Sequence, residues 1–553
     1  MRRSYVGGLA FLLGVASCDQ VFGIDLAQTG WTGGTGGRGG GTASGATGGG
    51  KLCTPGDTEP CYTGPPGTEG VSVCRGGIAA CVEPGAWGTC MGEVTPQPRS
   101  CASTTDVACL GKDNCAQWAD VFGGPVSADA RGVAVDAASN VYVVSVFSGT
   151  IQVGNLPLTA IGTSDLLVLK LGPTGAVVWS KSFGAPGATI SGPVVAADAN
   201  GNVAIGGVAD HSIAFGVTSA GPGLFVAKLD VSGDVAWANG LTVNYTGSFL
   251  DAVNGVALTP TGDVIIGGVF TSSINFGDGI IPGPTTTNGF YGFVASLQSS
   301  DGSGGTSDAG VAGWHEVLCS GMTTCAVTGV AMAGTAEVLV AGDFTSSAHF
   351  GSNLPLLAEG EQDGLVAKLS LAGGLLWQEQ IGGASGFVTP RSLAAAADGG
   401  PIVAGDFSGS ILFTPGGTPT SSPGAQFVAR YGFNMGYQWS QVLQSNVIRV
   451  ASDAVGNVLL SGQFMGTLDL GGGAPLTSVG SANIFVAKLS NTPALLWSKQ
   501  YGDANSSPAV QGIAVTPLGD PVIVGYTQGA INFGFGASTP TGQEDAFVVE
   551  LSP

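Results

Sequence analysis

Charge is scarce in this chain: Asp, Glu, Lys and Arg make up 10% of its 553 residues, and only three residues are histidine. So few long polar side chains cannot clothe the solvent faces that amphipathic helices need. Its 17 basic residues are thinly spread and outnumbered by 38 acidic ones, for a net charge of -21. Such a surface cannot release counterions from a phosphate backbone, which excludes nucleic acid as a partner; the acidity reads as a solubility device. No later segment has 18 uninterrupted apolar residues, so no helical span is expected. There is no Cys-Cys or Cys-x-x-Cys pair, and no Gly-x-Ser-x-Gly elbow leading into a helix. His211, His315 and His349 fall in different repeats without a ligand-spaced partner, so no catalytic, cofactor-binding or metal-ligating residue is assigned.

What is abundant is glycine, 96 residues, together with Val, Ala and Thr, the material of short strands and tight turns. Seven tryptophans punctuate it, Trp118, Trp179, Trp237, Trp314, Trp377, Trp439 and Trp497, at intervals of 61, 58, 77, 63, 62 and 58 residues. One large apolar side chain per unit is the signature of a repeat array in which every unit buries the same face. Three motifs recur between them. The first is a strand, turn and strand, as in Gly132-Val133-Ala134-Val135-Asp136 and Asn140-Val141-Tyr142-Val143, with copies from Val195, Gly255, Gly329, Ser392, Val450 and Gly512. The second is a pivot such as Gly342-Asp343-Phe344 or Gly405-Asp406-Phe407. The third is an alternating strand, Phe225-Val226-Ala227-Lys228-Leu229 and its echoes, followed by a turn and the Trp strand.

Four short antiparallel strands repeated radially make a propeller blade. The array opens on a lone Trp strand at Trp118 and ends at Phe547-Val548-Val549-Glu550-Leu551 without one. The first strand is therefore expected to complete the last blade, which removes two exposed edges at once. The expected fold class is all-β: a seven-bladed β-propeller of four-stranded antiparallel blades over residues 117-553, preceded by a small disulfide-rich module. The copies resemble seven-bladed propeller repeats of secreted bacterial proteins. The tryptophans are read as packing between blades, and Lys170, Lys228, Lys368, Arg430 and Lys488, which share one blade position, as solvated edge charges, with Ser296 and Glu550 replacing them without consequence.

At the other end, Met1-Arg2-Arg3, an apolar stretch from Tyr5 to Gly14 and Val15-Ala16-Ser17-Cys18 read as a signal peptide over residues 1-18. The last four residues resemble the bacterial lipobox, which implies cleavage before Cys18 and its acylation, with the membrane reached through the lipid alone. The leaflet, inner or outer, stays open. Residues 19-52 are a flexible Gly-rich linker. Removing Cys18 from eleven cysteines leaves ten, an even number suited to an oxidising compartment. Eight of them, Cys53, Cys61, Cys74, Cys81, Cys90, Cys101, Cys109 and Cys115, define a module over residues 53-116 too small to hold a core without staples. Their pairing is left open. Its segments Cys61-Tyr62-Thr63-Gly64-Pro65 and Trp87-Gly88-Thr89-Cys90 resemble cysteine-rich modules of secreted proteins from myxobacteria and their relatives. Some of those modules are metal-binding, but Ala108 to Cys115 carries one carboxylate where relatives have an Asp-rich run, so no metal site is carried over. Cys319 and Cys325 are expected to close a small loop between blades.

Departures from a repeat are where function is sought, since the scaffold does not require them. The long interval before Trp314 comes from an insertion over Gln298 to Gly313, and two variable connectors bring Tyr245, Phe249, Phe290 and Tyr291, a possible partner-binding surface. The expected function is a lipid-anchored cell-envelope binding or scaffold module for a protein or polysaccharide, non-catalytic and without a cofactor. The alternative is an extracytoplasmic propeller enzyme acting on polysaccharide, or an oxidoreductase, because Lys-Leu-x-x-x-Gly-x-x-x-Trp is similar to the tryptophan-docking repeats of quinoprotein dehydrogenases. Converging carboxylates in a central funnel would favour the enzyme, and a funnel of Gly, Ala and Val would not.

Overall fold

A computed structural model describes residues 53 to 553 except 84, 104, 112-114, 246, 248-249, 286-288, 304-312, 321-322, 352, 414-419 and 435. Cys18 and the segments expected to be a signal peptide and a linker lie outside these residues. From Cys53 onward the chain forms one compact unit.

Among the described residues, seven sets of four antiparallel strands follow one another. The first set runs Ser127–Val135, Val141–Ser148, Asp165–Leu171 and Val177–Phe183, in that spatial order. The second to sixth repeat the plan, and a short pairing of Ile381 with Phe413 joins the fourth to the fifth. The last set takes Ser507–Val515, Pro521–Gln528 and Asp545–Leu551 from the end of the chain and its outer strand, Ala116–Phe122, from the beginning. Trp118 pairs with Glu550 and Val121 with Phe547 in that closing ladder. The inner strand of each set lies against the inner strand of the next, and Ser507–Val515 returns to Ser127–Val135.

Sheets stacked face to face bury both faces of their middle strands. All seven residues of Asp165–Leu171, Gly223–Leu229 and Asn483–Leu489 are buried, and this overrides the alternation read from the sequence. It also corrects the reading of the basic residues on these strands. Lys170, Lys228, Lys368, Arg430 and Lys488 are 3% to 9% exposed, not solvated edge charges. A buried ammonium needs acceptors, and the neighbouring set supplies several. Lys228 Nζ donates to Gly262 O at 2.6 Å, Arg430 Nη1 donates to Gly456 O at 3.1 Å, and Lys368 Nζ donates to Phe433 O at 3.3 Å and sits over the Phe433 ring, while Glu337 of its own sheet lies 2.8 Å away. These side chains tie one sheet to the next.

The tryptophans do the same from the outer strands. Trp179 Nε1 donates to Val231 O, Trp237 to Ser299 O, Trp314 to Leu371 O and Trp439 to Asn491 O, each acceptor in the outer turn of the following set. Three of those turns put a positive-φ glycine against the indole: a Cβ on Gly233 would stand 3.0 Å from Trp179, one on Gly302 2.5 Å from Trp237, and one on Gly373 2.6 Å from Trp314. The recurring Gly and Trp therefore meet across successive sets, which is packing between blades.

At the closing sheet Glu550 occupies the position filled by lysine elsewhere. Its carboxylate accepts from Trp118 Nε1 at 3.1 Å, and burial, then Asp520, pushes it up to about 7. Burial likewise raises Asp129 to about 6 and Asp343 to about 7. A carboxyl whose folded pKa is raised holds its proton better folded than unfolded, so its penalty applies at high pH and is relieved as pH falls through that value. Asp453, lowered mainly by its bonds from Asn457 against the effect of burial, acts oppositely and loses its contribution only when pH falls below the ordinary carboxylate range. Stability is expected to rise from about pH 8 to about pH 5, and Glu550→Gln to flatten that rise. Urea midpoints measured across this range check it; a midpoint that falls steadily with acidification contradicts it.

In the module, Cys53–Cys81 and Cys61–Cys90 staple a three-stranded sheet, while Cys74–Cys109 and Cys101–Cys115 secure its C-terminal half. Cys101 and Cys115 are buried with Trp497 and Tyr501, and Ser552 N donates to Cys115 O, so the module ends within the core of the last sheets. Cys319–Cys325 links the end of Trp314–Val317 to the start of Cys325–Ala333, between two sets. Five disulfides place this part of the chain outside the reducing cytoplasm.

Candidate functional site: the axial pocket

The seven inner strands converge on a solvent-open pocket of about 210 Å³. Its wall is mainly Gly and Val, and one local irregularity repeats around it. Register shifts between Ala130 and Gly132, Val253 and Gly255, Val327 and Gly329, Pro390 and Ser392, and Val510 and Gly512 bulge out Arg131, Asn254, Thr328, Arg391 and Gln511. A bulge re-aims a side chain that regular pleating would commit to the sheet. The residue after it must be small because neighbouring inner strands nearly touch: a Cβ on Gly255 would lie 2.7 Å from Val330 N. The second set's strand shifts across Gly192 and Pro193, and the sixth shows no shift, so that Arg449 pairs directly with Ser461 where four of the other inner strands place Gly, one Ser and one Val.

Three of the chain's few basic residues therefore meet in one pocket. Arg131 Nε lies 2.6 Å from Asp129, and Arg391 Nε lies 2.9 Å from Asp406, whose other oxygen accepts from Gln426. Arg449 Nε donates to Gln511 O at 2.9 Å and Nη1 to Ile448 O at 3.4 Å, and no ion pair of Arg449 forms among the described residues. Burial and then the Arg391 charge pull Arg449 below the usual guanidinium range, with Asp406 opposing and Arg131 adding; arginine nevertheless stays protonated. Burial dominates at Asp129 and Asp343 despite the adjacent Arg131 and Arg391.

Among the described residues no carboxylate lines the wall itself. Among the described residues no group of three or more His, Cys, Asp or Glu has the geometry to hold a metal ion. The pocket thus presents guanidinium charge and neutral hydrogen-bonding groups, a set suited to holding an oxyanion.

Of the four aromatics anticipated as a surface at the irregular connectors, the structure buries Tyr291. Tyr291 is 7% exposed with its ring edge-on to Phe270, because Tyr291–Leu297 is a middle strand buried on both faces. Tyr245 is half-buried against the same core, Phe290 is half-buried, and Phe249 lies outside the described residues, as does most of the insertion before Trp314. Asp343 and Asp406 do stand near the axis, each under the influence of Arg391. His211 pairs with Asp210 at 2.8 Å, and His315, on the outer strand Trp314–Val317, lies 3.2 Å from Asp278 while stacking on Phe276. The pocket residues were missed although a signal existed: Arg131, Asn254, Thr328, Arg391, Arg449 and Gln511 each stand one residue before a copy of the first motif.

No family model matches the chain, and no curated protein does. Among solved structures it is similar to a gluconolactonase from Xanthomonas campestris, at 11% identity over 77% of this chain and 88% of that one, with a TM-score of 0.29. It is similar also to a protein of unknown function from Dyadobacter fermentans, at 9% identity over 78% and 99%, TM-score 0.28. A leech intramolecular trans-sialidase gives 8% identity over 74% and 65%, TM-score 0.27. Likenesses this slight carry no argument about activity.

Proposed function

We propose that the protein is a lipid-anchored, seven-bladed β-propeller of the bacterial cell envelope that binds a protein or polysaccharide without chemical turnover, and that its axial pocket is the ligand site. The carrying observation is the set of polar side chains bulged into a pocket otherwise walled by Gly and Val. A scaffold alone would not need three guanidiniums there. Against catalysis stands the pairing of Asp129 and Asp406 with their own arginines, Arg131 and Arg391. Ring closure is supported by the Ala116–Phe122 ladder with the last strand, and anchoring by the lipobox at Cys18.

Purified protein is expected to be retained on immobilised envelope polysaccharide or protein and to release it chemically unchanged. Shortened chains or oxidised products in the eluate would sink the non-catalytic reading. Replacing Cys18 with Ser is expected to move the protein from the membrane to the soluble fraction; undiminished sedimentation with membranes would remove the anchor.

A further inference from the structure

We propose that the axial pocket is an oxyanion site, in which Arg131, Arg391 and Arg449 hold the carboxylate, sulfate or phosphate of a ligand that also offers a hydroxyl or similar group to Thr328. This rests on the pocket being the ligand site and adds the chemistry of what enters it. The three arginines lie on one arc. Their inner strands, Gly386–Ala395, Val447–Ser452 and Ser127–Val135, are consecutive around the axis with only Ser507–Val515, bearing Gln511, between the last two. The opposite arc carries Asn254 and Thr328, which are neutral. One side of the pocket wall therefore gathers three guanidiniums, two of them paired with Asp129 and Asp406, in a protein whose net charge is -21.

Two unmet requirements point to a ligand. Arg449 is half-buried and spends Nε and Nη1 on backbone carbonyls, which leaves its charge without a carboxylate partner among the described residues. Thr328 Oγ1 is buried in the wall and has no hydrogen-bond partner among the described residues. Both are costly to leave unmet; one molecule in the pocket reaches Arg449 directly and Thr328 once its hydroxyl turns toward the axis. Arg131 and Arg391 engage Asp129 and Asp406 through Nε, the inner edge of the guanidinium, and no Nη atom of either bonds a protein acceptor among the described residues. Those outer donors have the fork geometry that grips an oxyanion.

The acidic groups facing this arc are Asp129, Asp343, Asp406 and Glu544, with Tyr526 beside them. Asp129 and Asp343 take up protons between about pH 8 and about pH 5. As they do, they stop screening Arg131 and Arg391 while a carboxylate or sulfate ligand stays ionised, so oxyanion affinity rises with acidification.

Calorimetric titration of the full chain at fixed ionic strength with sulfate, inorganic phosphate, glucuronate and glucose tests this. Saturable binding of at least one anion is expected, with glucose silent; preference for glucuronate marks an acidic polysaccharide as source, and preference for phosphate or sulfate marks an esterified ligand. Arg391→Gln, at an exposed side chain where folding is not at stake, and Arg449→Gln are each expected to weaken the anion by about tenfold or more, and binding to tighten from about pH 8 to about pH 5.5. The proposal is overturned if no anion saturates, if glucose binds as well as glucuronate, or if the Arg391 variant binds like the parent, which would mean an adventitious ion only. Retention on envelope material that survives both substitutions defeats the oxyanion site and leaves the binding module standing, whereas loss of retention by the parent protein with anion binding intact defeats only the latter.

Discussion

A chain that begins at Gly124 is expected to unfold at much lower urea than one that begins at Ala116, or to fail to accumulate as soluble protein. Both lack the disulfide module, so their difference isolates one strand. Ala116–Phe122 is the outer strand of the last sheet and pairs along Asp545–Leu551, all of whose residues are buried. Without it that strand becomes an exposed apolar edge, the kind that pairs with other chains. The tie to the following sheet goes too, because a Cβ on Gly175 would stand 2.7 Å from the Trp118 ring, which shows how closely the two are packed. The loss is expected to be comparable with the whole net stability of a domain, about 5–15 kcal/mol. Equal urea midpoints for the two chains would mean that the ring does not depend on strand exchange.

The second large effect is expected at Trp237. It is 4% exposed, donates to Ser299 O at 3.1 Å and fills the space beneath Gly302. Truncation to alanine removes a buried aromatic and leaves a cavity between two sheets, so Trp237→Ala should cost about 3–5 kcal/mol. From the other side, Gly302→Val forces a Cβ to within 2.5 Å of the indole at a φ of +73°, where a β-branched residue is strained. The two substitutions touch one contact, so the double variant should lose less than the sum of the singles. Additive losses in equilibrium urea unfolding would place the tryptophan's contribution elsewhere.

Much of this architecture is legible in the sequence because repetition averages out local ambiguity. The seven tryptophans, the middle strands such as Phe225 to Leu229 and the mismatch between the chain's ends all mark the pairing that the structure contains. The lysines misled, because alternation distinguishes two faces of a strand without saying that both are covered. Lys228 and Lys368 are buried because the next sheet offers a backbone carbonyl, Gly262 O and Phe433 O, and that neighbour lies in another repeat. The connector aromatics misled for a related reason: Tyr291 looked like loop decoration, yet it opens a middle strand. The pocket was harder still. A bulge inserts one residue without altering the apolar pattern that follows it, so Arg131 and Arg391 read as the polar residue before a strand. Their convergence needs the ring, which joins inner strands hundreds of residues apart.

The most direct test of the account is a crystal structure of the chain grown with the tightest-binding of the anions above. The account predicts an oxyanion on the axis, within hydrogen-bond distance of at least two of Arg131, Arg391 and Arg449. An anion found only on the outer rim, with the axial pocket holding water alone, would contradict it.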